Sequence, residues 1–562
     1  MNRNKTFPIL LSMILMHSIK AYAEIIPDAG IIQRGLDSSR PKIHSSDPVL
    51  PRTENEEEDD PKVAHFKIDQ ITIQGATLID SKILESLVHD KLGQSLSAKQ
   101  IQKIGLKLSD YYRSQGWLAR VVFPEQDLHS GTLIVNILES IYSGNELDAL
   151  ESRADSELLE QLAVGDLISG EALSLQSVES GVLKANDQPG IRTTAVLVPG
   201  EASGETKLKL KLTDSALISG NLSYSNQGIR STGSNQYQGN INFNNPLGRA
   251  DQFSVQALGS ENMFSVRGQY GWLLNRFGSR FSIYGSQLHY ELGGNFANLQ
   301  AEGEGRVLGG IVNHPLIRRS EENLYASIIL ENRLNQSSQL GSLSRLRDIN
   351  LMALAISADK TDHLLGLAQN NAGLQLNLGH LNIDLENERQ SDQQTVRAAG
   401  DFFKLSFNLI RTEYFNDNWN LSLAFSGQWA AKNLDSSQKF SLGGPNGVRA
   451  FPVNEGMGDS GWLLTAELRR QLGYGFQGMI FADTGAVEVN HGLWTGSGTQ
   501  HNQYILAGVG LGLRWNYQQE WQASATVGLP VTTNPAKDIY NHNGDGTRAG
   551  DPAGWLSLTR FF

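Results

Sequence analysis

Residues 505–515 read Ile505-Leu506-Ala507-Gly508-Val509-Gly510-Leu511-Gly512-Leu513-Arg514-Trp515. Taken at period two, Ile505, Ala507, Val509, Leu511, Leu513 and Trp515 form one face. Leu506, Gly508, Gly510, Gly512 and Arg514 form the other. An apolar face ending in Trp, backed by small or charged residues, suits a barrel wall with lipid outside and water inside. The same alternation recurs in Phe403–Leu409, Leu421–Trp429 and Trp521–Leu529. Any half-buried sheet alternates. Four such strands within about the last 160 residues, each near the ~9–11 residues that cross a bilayer, point to a transmembrane barrel.

Composition agrees. The chain has 562 residues, so more than one domain is expected. Cysteine is absent, which excludes disulfides, thiolate metal sites and cysteine nucleophiles. A formal charge of −12 argues against a nucleic-acid groove. Hydrophobic content is only 40%, too low for a helical membrane protein but sufficient for a barrel, in which alternate residues meet lipid.

The N-terminus carries an export signal over 1–23. Arg3 and Lys5 precede an apolar run from Phe7 to Met16, and Ala21-Tyr22-Ala23 forms a small-x-small cleavage site. An exported chain with amphipathic strands and no apolar run of ~18 residues belongs in the outer membrane of a diderm bacterium. Residues 24–64 are expected to hold a short helix at 24–36, with Ile31, Ile32 and Leu36 on one side, and then a linker. Pro41, Pro48, Pro51 and Pro61 punctuate that linker, and 54–60 is almost wholly acidic, as in a solvated tether.

Residues 65–140 read as strand, helix, helix, strand, strand. Phe66–Ile73 is rich in β-branched residues and is followed by Gly75. Ile83, Leu84, Leu87 and Val88 sit at helical spacing behind Asp80 or Ser81. Ser97 starts a second helix marked by Ile101, Ile104, Leu108, Tyr111 and Tyr112, and Gly116 ends it. Residues 141–214 repeat the plan, with helices at Ser156–Leu162 and Leu173–Leu183, a turn at Asn186-Asp187-Gln188-Pro189-Gly190, and strands at Ile191–Val198 and Lys207–Leu212. Two small α+β modules therefore precede an antiparallel barrel over 215–562. At ~20 residues per strand and connection, that length allows roughly 16 to 18 strands, and 16 are expected.

Two tandem modules followed by a barrel resemble the Omp85 superfamily, whose soluble modules are POTRA domains. Within it the chain is similar to the two-partner secretion transporters (TpsB type), the haemolysin and filamentous-haemagglutinin exporters. The resemblance rests on 116–131 (GWLARVVFPEQDLHSG), 186–200 (NDQPGIRTTAVLVPG), 441–456 (SLGGPNGVRAFPVNEG) and the Phe481-Ala482-Asp483 triplet. It implies that the sixth extracellular loop, carrying Val448, Arg449, Ala450 and Phe451, folds back into the lumen. There Arg449 would pair with Asp483 of the inner-wall motif Phe481-x-Asp483, since an Arg fork matches a carboxylate bidentately. The chain departs from the pattern at Ala450, where the superfamily has Gly. It departs again at Arg560, where an aromatic is usual before the terminal Phe562, the expected assembly signal. Glu467 and Arg469 also face the lumen by alternation, and solvation in a water-filled pore accounts for them.

Three other motifs are discounted. Gly458-Asp459-Ser460-Gly461 resembles a protease nucleophile segment without partners. Gly508-x-Gly510-x-Gly512 precedes no helix and cannot be a nucleotide loop. Asn541-x-Asn543-x-Asp545-Gly546 opens like a calcium loop, but Pro552 stands where the bidentate Glu belongs. No metal, cofactor or catalytic group is expected. The resemblance implies a pore that takes an unfolded exoprotein (TpsA type) from the periplasm through strand addition to the POTRA sheets and passes it outward without ATP. Outer-membrane lipid and the barrel assembly machinery are the other expected partners. Two readings compete. An assembly factor of the same superfamily would typically carry more modules, and a passive porin leaves residues 65–213 unexplained.

Overall fold

The computed structural model describes residues 26–38, 65–149, 152–497 and 502–562. The export signal and the acidic linker lie outside them. Sixteen antiparallel strands close a barrel, running in sequence order from Ile218–Ser225 to Ala553–Phe561. Closure joins the last strand to the first, from Ser557 beside Ser225 to Phe561 beside Asn221. Phe562 extends the seam through backbone bonds of 2.9 and 3.1 Å with Gly220.

The wall is uneven. The first strand has 8 residues, whereas the seventh and eighth, Glu322–Gln339 and Ser342–Asp362, have 18 and 21, so one side stands much taller. Alternation holds along the wall. On Phe476–Glu488, Ile480 and Ala482 are exposed outward, while Met479, Phe481, Asp483 and Val487 are buried inward. Among the described residues no helix is long and apolar enough to cross a membrane.

The first module departs from the expected plan at its start. Phe66–Ile73 is not one strand: the chain turns at Asp69 and serves two sheets. His65–Ile68 pairs with Gln94–Ser97, a strand the sequence does not announce, and Gln70–Gln74 pairs in parallel with Thr132–Glu139. Both Asp69 and Gln70 donate their amides to the carbonyl of Gly131, which pins the break. The helices are capped as their sequences suggest. Asp80 caps Ser81–Val88, and Ser97 forms a reciprocal capping box with Gln100 at the start of Ala98–Ser114. At the far end of the sheet, Glu139 accepts the amides of Thr77 and Leu78 at 2.8 Å and the Tyr112 hydroxyl at 2.7 Å. Burial pushes its carboxyl up, but these bonds outweigh that and hold it below its usual range.

In the second module the helices are Ser156–Val164 and Leu175–Asn186, slightly displaced from expectation, over a sheet of Ile141–Asp148, Glu205–Asp214 and Ile191–Pro199. The helices cross at Gly181, where a Cβ would lie 1.9 Å from the Ala163 carbonyl oxygen. Gly181→Ala should therefore reverse the ordinary helix preference, under which Ala gains ~1 kcal/mol over Gly. We expect lower resistance of the second module to proteolysis in the full-length protein, with the barrel intact on heat-shift electrophoresis. Unchanged or increased resistance would show that the crossing has slack.

Candidate functional site: the filled lumen

The long loop between Trp419–Ala430 and Ser460–Gly473 is the sixth on its side of the barrel, and it folds back inside the wall. Arg449 stands at its turn, 6% exposed. Its Nε and Nη2 donate to the two oxygens of Asp483 at 2.9 and 2.7 Å, and its backbone N adds a third bond at 3.1 Å. The guanidinium lies 3.5 Å over the Phe481 ring, so both residues of the Phe481-x-Asp483 triplet receive it. The Trp555 indole, on the last strand, donates to the Arg449 carbonyl at 2.8 Å. Val448, Ala450 and Phe451 are buried with Leu442, Leu463, Val487 and Leu506. Phe562 lies apart, at the seam.

Glu467 is not the solvated lumen charge that its sequence context suggests. It is 5% exposed, accepts Arg449 Nη1 at 2.5 Å, and also receives Arg469 at 2.5 Å and Arg514 at 3.5 Å. Three arginines thus share two carboxylates inside the barrel. Strand spacing alone could not show this, because the third partner of Arg449 depends on where the loop lands.

The glycine stripe of residues 508–512 proves to be a socket. A Cβ on Gly508 would sit 2.4 Å from the Ala450 Cβ, and one on Gly510 would sit 2.2 Å from the Phe481 ring. Gly528, on the next strand, would meet the Arg449 backbone at 2.8 Å. Ala450 is not among the residues with positive φ, so the turn does not need glycine there, and its methyl fills the space left by Gly508.

The loop is tied on its other sides. Asp459, of the discounted Gly458–Gly461 motif, is fully buried and holds Lys439 at 2.7 Å and the amides of Leu434 and His491. Glu455 accepts Asn534 Nδ2 and the Gly544 amide, both at 2.9 Å, which links this loop to the last one. The Asn541–Gly546 segment is a turn closed by Asn543 and Thr547, and no metal-binding cluster occurs among the described residues.

The N-terminal helix, Ala29–Ser38, lies inside the barrel between the loop and the sixth and seventh strands. Asp28 caps it through the Ile31 amide at 2.9 Å and also meets Ser436 at 2.8 Å and Arg345. Gly30 lets it lie against the loop: a Cβ there would be 2.9 Å from the Ser437 amide. Arg34 donates to the Lys439 carbonyl and to Asn454 Oδ1 at 3.0 and 2.5 Å. On the opposite side Ile32 packs against Leu258, Leu288, Tyr290 and Phe296 of the wall and its loops. Sequence shows the helix but not its place, since its partners, from Leu258 to Asn454, lie more than 200 residues further along the chain.

The second module is docked beneath. Asp187 and Gln188, within the Asn186–Gly190 turn, bind the edge of the barrel opposite the long loops. Arg318 forks onto Asp187 at 2.7 and 2.8 Å, and Arg280 reaches Gln188. Asn186 instead braces the turn, bonding the Thr193 amide and carbonyl at 2.7 and 2.9 Å.

Residues 204–515 match the family model described as haemolysin secretion/activation protein ShlB/FhaC/HecB, and residues 66–140 match that of the ShlB-type POTRA domain. The heme/hemopexin transporter protein HuxB of Haemophilus influenzae (strain 86-028NP) is 24% identical over 542 residues, covering 93% of this chain and 94% of its own. The hemolysin transporter protein HpmB of Proteus mirabilis is 24% identical over 504 residues, covering 86% and 84%. Among solved structures, CdiB from Escherichia coli superposes with a TM-score of 0.64 at 20% identity, over 94% of this chain and 95% of its own, which speaks for the fold.

Arg449→Ala should leave the barrel assembled but unseat the loop, because two buried carboxylates lose a partner, at a local cost of about 3–5 kcal/mol. Residues 442–456 should become protease-sensitive and ion conductance of the purified barrel should rise. Arg449→Lys should restore only part of the seating, since charge survives without the fork. Adding Asp483→Ala to Arg449→Ala should change little, because the two act through one contact. Additive effects would contradict the pairing.

Proposed function

The chain belongs to the ShlB/FhaC/HecB haemolysin secretion/activation family, and from that premise we propose how its lumen works in two-partner secretion. The protein is an outer-membrane transporter with its POTRA modules in the periplasm, and it exports a secreted client protein to the cell surface. The assembly-factor reading is not favoured. Its family is one of secretion channels rather than enzymes, and we assign it no catalytic group.

The observation that carries the mechanism is the double occupancy of the lumen. Helix Ala29–Ser38 and the loop bearing Arg449 touch each other and the wall, so neither leaves without disturbing the other. We read this as the resting state of a two-state element. The client, delivered unfolded, adds as a strand to an open POTRA sheet edge, where backbone bonds give affinity without a required side-chain sequence. The Asp187–Arg318 fork holds those sheets under the pore mouth. Release of Asp28 and Arg34 frees the helix. The Arg449–Asp483 contact then sets the position of the loop while the chain passes. No nucleotide motif supplies energy, so client folding outside the cell gives the direction. Outer-membrane lipid and the barrel assembly machinery complete the proposed partners, with Phe562 at the seam as the residue the latter would read.

The absence of cysteine makes the test clean. In a Gly30→Cys, Ser437→Cys variant the two Cβ atoms start 3.0 Å apart, and the helix must ride outward by about half an ångström to relieve the contact and reach disulfide range. Oxidation should block secretion of the client and reductant should restore it, with the barrel equally abundant in both. Full secretion through the oxidised form would contradict a plug that must leave.

A further inference from the structure

The outer surface of the tall side carries a feature that the transport cycle does not use. An open groove of about 710 Å³ crosses the sixth to tenth strands. Most of its lining side chains point outward from the wall. Leu308, Leu330, Met352 and Leu378 make its apolar part, and Asn332, Asn350, His380 and Asp401 its polar part.

The polar four stand in one row. Asn332 pairs in register with Asn350, Asn350 with His380, and His380 with Asp401. The row below is wholly apolar: Leu330, Met352, Leu378 and Phe403 are paired in the same way. Ten residues further down the eighth strand, Lys360 starts the next polar row, with Asn370 and Arg411. At ~3.4 Å per residue and a tilt near 40°, the two rows are roughly 26 Å apart, which matches the ~25 Å apolar band of an outer-membrane barrel. The groove therefore straddles the level where acyl chains give way to headgroups on the extracellular side.

Its polar groups are prearranged. Asn332 Nδ2 donates to Asn350 Oδ1 at 3.1 Å and to Asp348 Oδ1 at 2.6 Å. His380 bonds Asp401 Oδ1 through Nδ1 at 2.6 Å and Asn382 Oδ1 through Nε2 at 3.2 Å. Asn350 Nδ2 and Asp401 Oδ2 carry no other bond among the described residues. An amide donor beside a carboxylate acceptor suits neighbouring hydroxyls. The carboxylates of Asp348 and Asp401 disfavour a phosphate.

We propose that this groove binds an outer-leaflet glycolipid, with its sugar hydroxyls on Asn332, Asn350, His380 and Asp401 and an acyl chain along Leu308, Leu330, Met352 and Leu378. The occupant follows from continuity with the barrel's lipid-facing band, and the inference is independent of the client and of the plug. The test is native mass spectrometry of the full-length transporter with a hexa-acylated diglucosamine glycolipid, with and without its phosphates, against phosphatidylethanolamine. Both glycolipid forms should be retained in preference to phosphatidylethanolamine. Asn350→Leu with His380→Leu, which carries the apolar band through the row, should reduce that preference at least tenfold while heat-shift and conductance stay unchanged. Asn350→Ala with His380→Ala serves if the leucine pair does not assemble. Equal retention of all three lipids by the wild type, or an unchanged preference in the variants, would overturn the proposal.

Discussion

Arg449 is the point at which loop, wall and seam meet. It forks onto Asp483, reaches Glu467, covers Phe481 and receives Trp555 through its carbonyl. A charge buried inside a barrel is tolerated only when it is paired and hydrogen-bonded. Here the pairing joins segments that no local rule would bring together. The constraint runs both ways. Asp483 needs the loop in place to be satisfied, whereas Glu467 keeps Arg469 and Arg514 on the wall, and the loop needs glycine at 508 and 528 to come close enough to reach them.

The plug depends on the same loop. Asp28 and Arg34 bind residues of the Lys439 and Asn454 arms rather than the wall alone, and Gly30 lets helix and loop touch. Helix and loop therefore meet through polar contacts, while Ile32 and the Val448–Phe451 turn pack apolar side chains against the wall. The helix is suited to separate from the loop, because the ties from Asp28 and Arg34 to Ser436, Lys439 and Asn454 are hydrogen bonds that water or an extended client can replace at small net cost. A core of interdigitated apolar side chains would resist in proportion to the area exposed.

How much of this was legible in the sequence differs by level. The barrel was plain in residues 505–515, 421–429 and 403–409, because every outward side chain must independently suit lipid. Caps at Asp80 and Ser97 were equally plain, since they act within three residues. The break at Asp69 was hidden: Phe66–Ile73 has strand character throughout, and only the distant Gly131 carbonyl shows where one sheet ends and the other begins. Glu467 was misjudged for the same reason, its third neighbour being set by the loop's landing. The Gly508–Gly512 stripe shows its alternation in the sequence, but its use as a socket needs Ala450 and Phe481 beside it. Residues 186–190 read as a turn, yet Asp187 and Gln188 also dock the module to Arg318 and Arg280.

The central claim is that the client crosses through the space now filled by the helix and loop. Asn335 lies on the inner wall under the helix, close to Gln33, and is 4% exposed. A photo-reactive amino acid at 335 in the assembled transporter, illuminated while a client is stalled in export, reads that space directly. The account predicts cross-links to the N-terminal helix at rest and to the client during export. Cross-links to the helix alone in both states, with export proceeding, would place the client's path elsewhere and contradict it.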